Sequence, residues 1–205
     1  MKFFKKTILI IAVLSSCSVW AGNEDRAGSA GATDLLINPW ARSSAWGSAG
    51  LSSVNGLEAV FLNVAGLAYA DQTEVQFCRT NWMGNISGIG LNSAGLAQRV
   101  GEAGVLGISF VSLNYGDIEI TTTALPEGGI GYFNPSSTNF TVSYAKKFSS
   151  SISGGMNLKV VSQSISNVSA QGVAIDAGIR YVTGDQDNIK FAISLKNVGP
   201  PMSYS

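Results

Sequence analysis

The chain has 205 residues, and its 13 basic residues balance its 13 acidic residues, which predicts neither nucleic-acid binding nor a strongly acidic partner. The absence of histidine excludes catalytic triads and metal centres that rely on imidazole. Only 13% of residues are charged and 24 are glycine, which is unusual for a soluble surface but typical of strands between lipid and a wet lumen.

The N-terminus has the pattern of a secretory signal peptide. Three lysines in the first six residues precede an apolar run (residues 7–14), and small residues follow up to Ala21. The run is shorter than the roughly 20 residues that cross a bilayer as a helix, so we expect export and cleavage after Ala21. The residues before Cys17 also resemble a lipoprotein processing site, which would instead make Cys17 the lipidated N-terminus. After cleavage at Ala21, Cys78 is the single cysteine, and no intramolecular disulfide forms.

Residues 22–71 lack the alternation of strands. Asn38 and Pro39 predict the N-cap and first turn of a short helix that ends at Gly47. A second short helical segment is predicted over residues 57–62, followed by a turn at residues 63–66. The segment is rich in Gly, Ala and Ser, which favours close-packed short elements over a free linker.

Seven strands are predicted after residue 72, because apolar and polar residues alternate there. They cover residues 73–81, 86–97, 104–115, 139–148, 151–164, 172–182 and 189–197. In the last two strands, one face is apolar and carries Val173, Ile175, Ala177, Ile179, Tyr181, Ile189, Phe191, Ile193 and Leu195. The other face is small or charged and carries Asp176, Arg180, Lys190 and Lys196. Asp176 and Arg180 are predicted either to form a charge pair, to contact a substrate, or to be solvated structural charges.

Two-faced strands of this kind fit a soluble exported β-sandwich or an outer-membrane β-barrel. The predicted connections alternate in length: residues 98–103, 149–150 and 183–188 are tight, residues 116–138 are long, and residues 165–171 are of moderate length. Barrels of the bacterial outer membrane combine short periplasmic turns with longer external loops, so the pattern favours a transmembrane antiparallel β-barrel.

The strand count predicts an incomplete barrel. Single-chain bacterial barrels close with an even number of strands, and seven do not. A separate strand at residues 117–122 would give eight, but an eight-stranded barrel has no room for a plug of roughly 50 residues. We therefore expect the sequence to be the front portion of a longer barrel, with residues 199–201 opening another external loop.

Several stretches carry a resemblance to a known family. They are residues 23–32 (NEDRAGSAGA), 35–42 (LLINPWAR), 63–68 (NVAGLA), 170–174, 176–184 and 195–200. The sequence resembles the N-terminal portion of the PorV/PorQ family of outer-membrane proteins of the type IX secretion system. That family is similar to FadL-like barrels, so the resemblance implies an all-β, 14-stranded transmembrane barrel. Residues 1–21 would be the signal peptide, 22–71 a plug or hatch, and 72–205 about half of the strands.

The resemblance also extends to the turn of the hatch. In the wider family this turn commonly reads Asn-Pro-Ala-Gly. Here Asn63, Ala65 and Gly66 match, and Val64 replaces the proline.

The function that the resemblance implies is transport of proteins without chemistry. Such subunits associate with the type IX translocon barrel and receive exported substrates through their C-terminal signal domains. They deliver these substrates to the surface attachment complex, which contains a PorU-type sortase. No catalytic, cofactor-binding or metal-binding residue is predicted, and no nucleic-acid partner is expected.

The long predicted loop is the candidate partner contact. Pro126, Tyr132, Phe133 and Pro135 lie there among glycines, and exposed aromatic groups anchor interfaces. The alternative is that Tyr132 and Phe133 fold back on their own loop or line the membrane rim.

Two other functions stay open. A FadL-like importer of hydrophobic small molecules would need a continuous apolar pocket in the lumen, where this sequence places charges. An exported β-sandwich would be recovered in the periplasm without detergent.

Overall fold

The computed structural model describes residues 29–82, 88–102 and 104–205. The predicted signal peptide, with Cys17 and Ala21, lies outside the described residues, as does the predicted start of the second strand at residues 86–87. In the described part of the chain, every helix is too short or too polar to cross a membrane.

Short elements make up the N-terminal segment (residues 29–71). In chain order they are β1 (Ser29–Ala30), a 3-10 helix (Thr33–Leu36), α1 (Ala41–Ala45), a 3-10 helix (Gly56–Glu58), α2 (Ala59–Leu62) and a 3-10 helix (Val64–Tyr69). Both predicted helical pieces are confirmed, but Asn38 is not the N-cap of α1, which is Trp40. The Asn38 side chain instead accepts the Trp40 backbone N–H and donates to the Ser43 hydroxyl, so it orders the turn that precedes the helix.

The rest of the chain forms a large antiparallel sheet. Its strands are β2 (Thr73–Asn81), β3 (Gly90–Val100), β4 (Gly104–Asn114), β7 (Ser136–Lys147), β8 (Ile152–Ile165), β9 (Val168–Thr183) and β10 (Ile189–Val198). Neighbours in the sheet follow chain order from β2 to β10, because β5 (Ile118–Glu119) and β6 (Tyr132–Phe133) form a separate hairpin. The predicted seven strands and the all-β class are confirmed. Among the described residues the sheet is open, with β2 and β10 at its edges.

Two predicted connections differ from the observed ones. The prediction of a loop of moderate length at residues 165–171 is wrong. β8 ends only at Ile165 and β9 already begins at Val168, which leaves a two-residue turn. Ser166 takes a left-handed φ of 54° in that turn. The external loop predicted to open at residues 199–201 is also wrong. The chain turns inward there, and β11 (Met202–Ser203) pairs with β1.

The apolar core lies between the N-terminal segment and one face of the sheet, which we call the inner face. Its centre consists of Leu57, Val60, Val64, Leu67, Ala68, Ala70, Ala97, Val105 and Ala145. The sheet contributes its small residues to this core, and the N-terminal segment contributes the large ones. The opposite side of the sheet, the outer face, therefore has no covering element in the described chain.

Candidate functional site

Glycines on the inner face let the N-terminal segment approach the strands closely. A Cβ at Gly155 would lie 3.0 Å from a methyl carbon of Val64, and one at Gly178 would collide with the side-chain oxygen of Asn63. The 3-10 helix Val64–Tyr69 therefore docks against the backbone of β8 and β9. The inner face is a seat for this helix because these strand positions carry no side chain.

Asn63 connects the predicted hatch turn to the sheet. Its side-chain oxygen accepts the Ala65 N–H at 3.1 Å, and its amide donates to the Ile179 carbonyl at 3.3 Å. Gly66 donates its N–H to the Asn63 carbonyl at 2.9 Å. Val64 is 2% exposed and packs in the core. The three matching residues and Val64 thus form one buried turn.

Asp176 is the centre of a buried polar network, although it does not pair with Arg180 as one prediction proposed. Its carboxylate lies 2.6 Å from the Lys159 ammonium and accepts from the Asn157 amide at 2.8 Å. The backbone N–H of Asn197 donates to its other oxygen at 2.7 Å. Asp176 is 3% exposed, so its prediction as a solvated charge is also wrong.

Arg180 holds the N-terminal segment from the neighbouring part of β9. Its guanidinium donates to the Val54 carbonyl at 3.2 Å and to the Asn55 side chain at 2.6 Å, and it stacks 4.4 Å from the Tyr69 ring centre. Arg180 is 3% exposed and is not solvated. Its contacts are with the chain itself rather than with open space.

The two lysines of β10 differ in their surroundings. Lys196 is partly buried and lies 4.0 Å from the centre of the Phe61 ring, whereas Lys190 is exposed on the inner face. All four predicted lumen-facing charges therefore lie on the inner face. Arg180 and Lys196 contact the N-terminal segment directly, and Asp176 is connected to it through Asn157.

Asp34 makes a second connection, near the long loop. Its carboxylate accepts hydrogen bonds from Ser137 on β7 and from Gln163 on β8, and the Tyr204 hydroxyl donates to the same glutamine. Burial raises the pKa of the nearby Tyr115 phenol, and the Asp34 and Tyr204 charges add to that shift.

The candidate partner loop is only partly at the surface. Tyr132 is 67% exposed and Pro126 is exposed, while Phe133 is half-buried and Pro135 is buried. The hairpin of β5 and β6 orders this loop, and Glu119 supports it by accepting the Gly129 N–H at 2.9 Å.

Sequence reasoning did not find Lys159, Asn157 and Asp34. Lys159 and Asn157 lie on the same face of the predicted fifth strand, and their two-residue spacing was the available signal. The partner of each depends on strand register, which pairs Asn157 with Asp176.

The described residues contain no group of three or more metal-ligating side chains. No protein-family model matches the chain, and no curated protein matches it.

Proposed function

We propose that this chain is part of an outer-membrane β-barrel whose N-terminal segment is a hatch in the lumen. The proposed role is that of a non-enzymatic subunit of the type IX secretion system. It binds the translocon barrel and passes substrates that bear a C-terminal signal domain to the surface attachment complex with its PorU-type sortase. The resemblance of residues 23–32, 35–42 and 63–68 to the PorV/PorQ family supports this role.

The main observation in support of the barrel is the apolar character of the outer face. It presents large apolar side chains that are two-fifths or more exposed on most strands. Examples are Val75, Phe77, Ile108, Phe110, Phe140, Val142, Met156, Leu158, Val173, Ile175, Phe191 and Ile193. Water does not favour such a continuous apolar surface, and large exposed patches of this kind mark sites of contact with protein or membrane. Lipid accommodates it, because barrel strands direct their apolar side chains outward.

The outer apolar surface also has the slope of a tilted barrel wall. We define the turn end of the sheet by the tight connections around residues 101–103, 148–151 and 184–188, and the loop end by residues 115–135. Toward the turn end, the apolar run is uninterrupted as far as Val75, Leu96, Leu106, Tyr144, Ile152, Tyr181 and Ile189, taken from β2 to β10.

The slope of this boundary relative to the strands can be calculated from the strand register. Val75 lies in the cross-strand row of Ile175, whereas Ile189 pairs with Thr183, eight residues further along β9. Eight residues of about 3.3 Å, across six strand spacings of about 4.8 Å, correspond to a slope of about 40°. Transmembrane barrel strands are tilted by about 35–45°, which supports the proposal.

A second candidate function is transport of hydrophobic small molecules, and one cavity favours it. A space of about 500 Å³ lies between the start of the N-terminal segment, the first half of β9 and the residues that follow β10. Its lining includes Leu35, Leu36, Val161, Pro200 and Met202. The charges of Asp176, Lys159 and Arg180 occupy the neighbouring inner face, so the apolar space is local.

Deletion of the gene tests the two functions. Loss of secretion of proteins with the C-terminal signal domain, with normal fatty-acid uptake, would support the secretion role. Normal secretion with lost uptake would contradict it and support the transporter. Recovery of the protein in the periplasm without detergent would contradict both.

A further inference from the structure

We propose that one sector of the outer face, at the loop end of β2, β3, β4 and β7, binds a membrane-embedded protein that presents hydrogen-bond acceptors, with a carboxylate opposite Arg79. The inference rests on the proposed barrel and goes beyond it by placing the contact on the wall. We call this surface the polar sector, and it consists of Arg79, Asn92, Ser112, Asn114, Ser136 and Thr138.

One apolar cross-strand row forms the boundary between the apolar run and the polar sector. Phe77, Ala94, Phe110, Phe140, Val160 and Val173 pair in register across six strands and end the apolar run on the loop side. The next outward row is Arg79, Asn92, Ser112, Thr138, Ser162 and Gln171. The loop-side boundary is thus level in register from β2 to β9, whereas the boundary at the turn end is sloped.

A flat bilayer requires both boundaries to slope together. A line drawn across the strands with the slope of the turn-end boundary joins residues at equal depth in the membrane. On such a line, Arg79 on β2 lies at about the depth of Ala177 and Ile179, which are within the apolar run of β9. By the same reasoning Ser112 on β4 lies at about the depth of Val160 on β8. The apolar run contains five outward positions on β9, from Val173 to Tyr181, but only Val75 and Phe77 on β2. Polar side chains therefore occupy membrane depth on the β2 side of the wall.

Hydrocarbon solvates these polar groups poorly. A cation on the lipid face of a barrel is costly near the midplane, and an amide or hydroxyl without a partner is costly as well. Thr138 donates to the Ser162 carbonyl at 3.5 Å and Asn114 accepts the Gly116 N–H at 2.7 Å. The side chains of the sector without a hydrogen bond in the described chain are therefore those of Arg79, Asn92, Ser112 and Ser136. Arg79 is exposed, and within the described chain its guanidinium has no hydrogen bond or ion pair to neutralise it. A partner carboxylate at this position would form a charge-assisted pair that is strong in a water-poor environment.

The size of the side chains indicates protein rather than a lipid headgroup. The outward positions of β3 toward the loop end are Gly90, Asn92 and Ala94, all small. Small residues let backbones approach closely within membranes, and Ser, Thr and Asn donate hydrogen bonds across such contacts. The polar sector combines both features with one free cation.

Site-specific photo-crosslinking in membranes of the native host tests the proposal. A benzophenone amino acid is placed at Ser112 and, as the control of matched depth, at Val160. We expect a protein adduct at Ser112 whose cross-linked peptide contains Asp or Glu, and lipid adducts at Val160. The adduct should be lost in the Arg79→Glu variant and kept in Arg79→Lys, because only the first repels a carboxylate.

Three results would overturn the inference: lipid adducts at both positions, an adduct with a second copy of this chain, or a protein adduct that survives Arg79→Glu. The lipid adduct at Val160 within the Arg79→Glu variant shows that this variant still folds in the membrane. If Val160 gives no lipid adduct and the protein fractionates without detergent, the barrel itself is wrong, so the two failures are distinguishable.

Discussion

Asp176 shows how single buried side chains hold the N-terminal segment to the sheet. It bonds to Lys159, Asn157 and the backbone of Asn197, and Asn157 also donates to the Val60 carbonyl of α2 at 2.8 Å. Burying an ion pair is costly, and removing one partner of such a pair is more costly still. The network therefore fixes the position of the segment while adding little net stability compared with apolar packing.

The Asp176→Asn variant tests this network. Because the Lys159 ammonium would stay buried without a counterion, we expect the free energy of unfolding to fall by about 3–5 kcal/mol. Urea titration of the protein folded in lipid vesicles measures it. The double variant Asp176→Leu with Lys159→Met is the control and should recover most of the loss, since it buries no charge. A loss below about 1 kcal/mol in Asp176→Asn would contradict the network.

At the scale of elements, the 3-10 helix Val64–Tyr69 and the glycines beneath it determine how the N-terminal segment packs on the sheet. Cβ atoms would intrude at Gly155 and Gly178, where the side chains of Val64 and of the N-cap residue Asn63 lie instead. The sequence patterns predicted both partners, a short helical piece and strands with a small face. They did not predict which glycine meets which helix residue, because that depends on the register of β8 with β9 and on the path of the segment.

The Gly178→Ala variant tests the close packing of the N-terminal segment on the glycines of the inner face. Its Cβ would displace the Asn63 side chain, so we expect a loss of about 1–3 kcal/mol in unfolding free energy. Faster proteolysis within residues 51–71 should accompany it. Gly90→Ala is the matched control, since a Cβ there meets no atom within 4 Å. Equal effects of the two variants would show that the seat does not depend on close approach.

At the scale of the whole molecule, the sheet is covered on one face only. The inner face holds small and polar side chains and is covered by the N-terminal segment, while the outer face, apart from the polar sector, presents large apolar side chains without a cover in the described chain. A soluble β-sandwich has the opposite arrangement, with its apolar faces inside. The asymmetry is therefore the property that favours a membrane environment for the molecule.

Arginine substitutions on β8 test that environment. Met156→Arg should weaken folding into vesicles by about 2–4 kcal/mol, because it places a cation at the centre of the apolar run. Ser162→Arg, three outward positions further toward the loop end, should cost only about 0–1 kcal/mol. Urea titrations of both variants give the comparison. Equal costs would mean that the outer face does not meet hydrocarbon.

Alternation of apolar and polar residues is local, so the sequence by itself determined the seven strands, their two faces and the position of both short helices. The roles of Asp176 and Arg180 were decided only by the tertiary structure, because a charge on the small face meets solvent or a partner according to what covers that face. The N-terminal segment covers it here and brings Val54 and Tyr69 to Arg180, whereas the register of β8 with β9 brings Lys159 and Asn157 to Asp176. The same holds for the inward path after residue 199, since Gly199, Pro200 and Pro201 specify a break in the strand but not its direction.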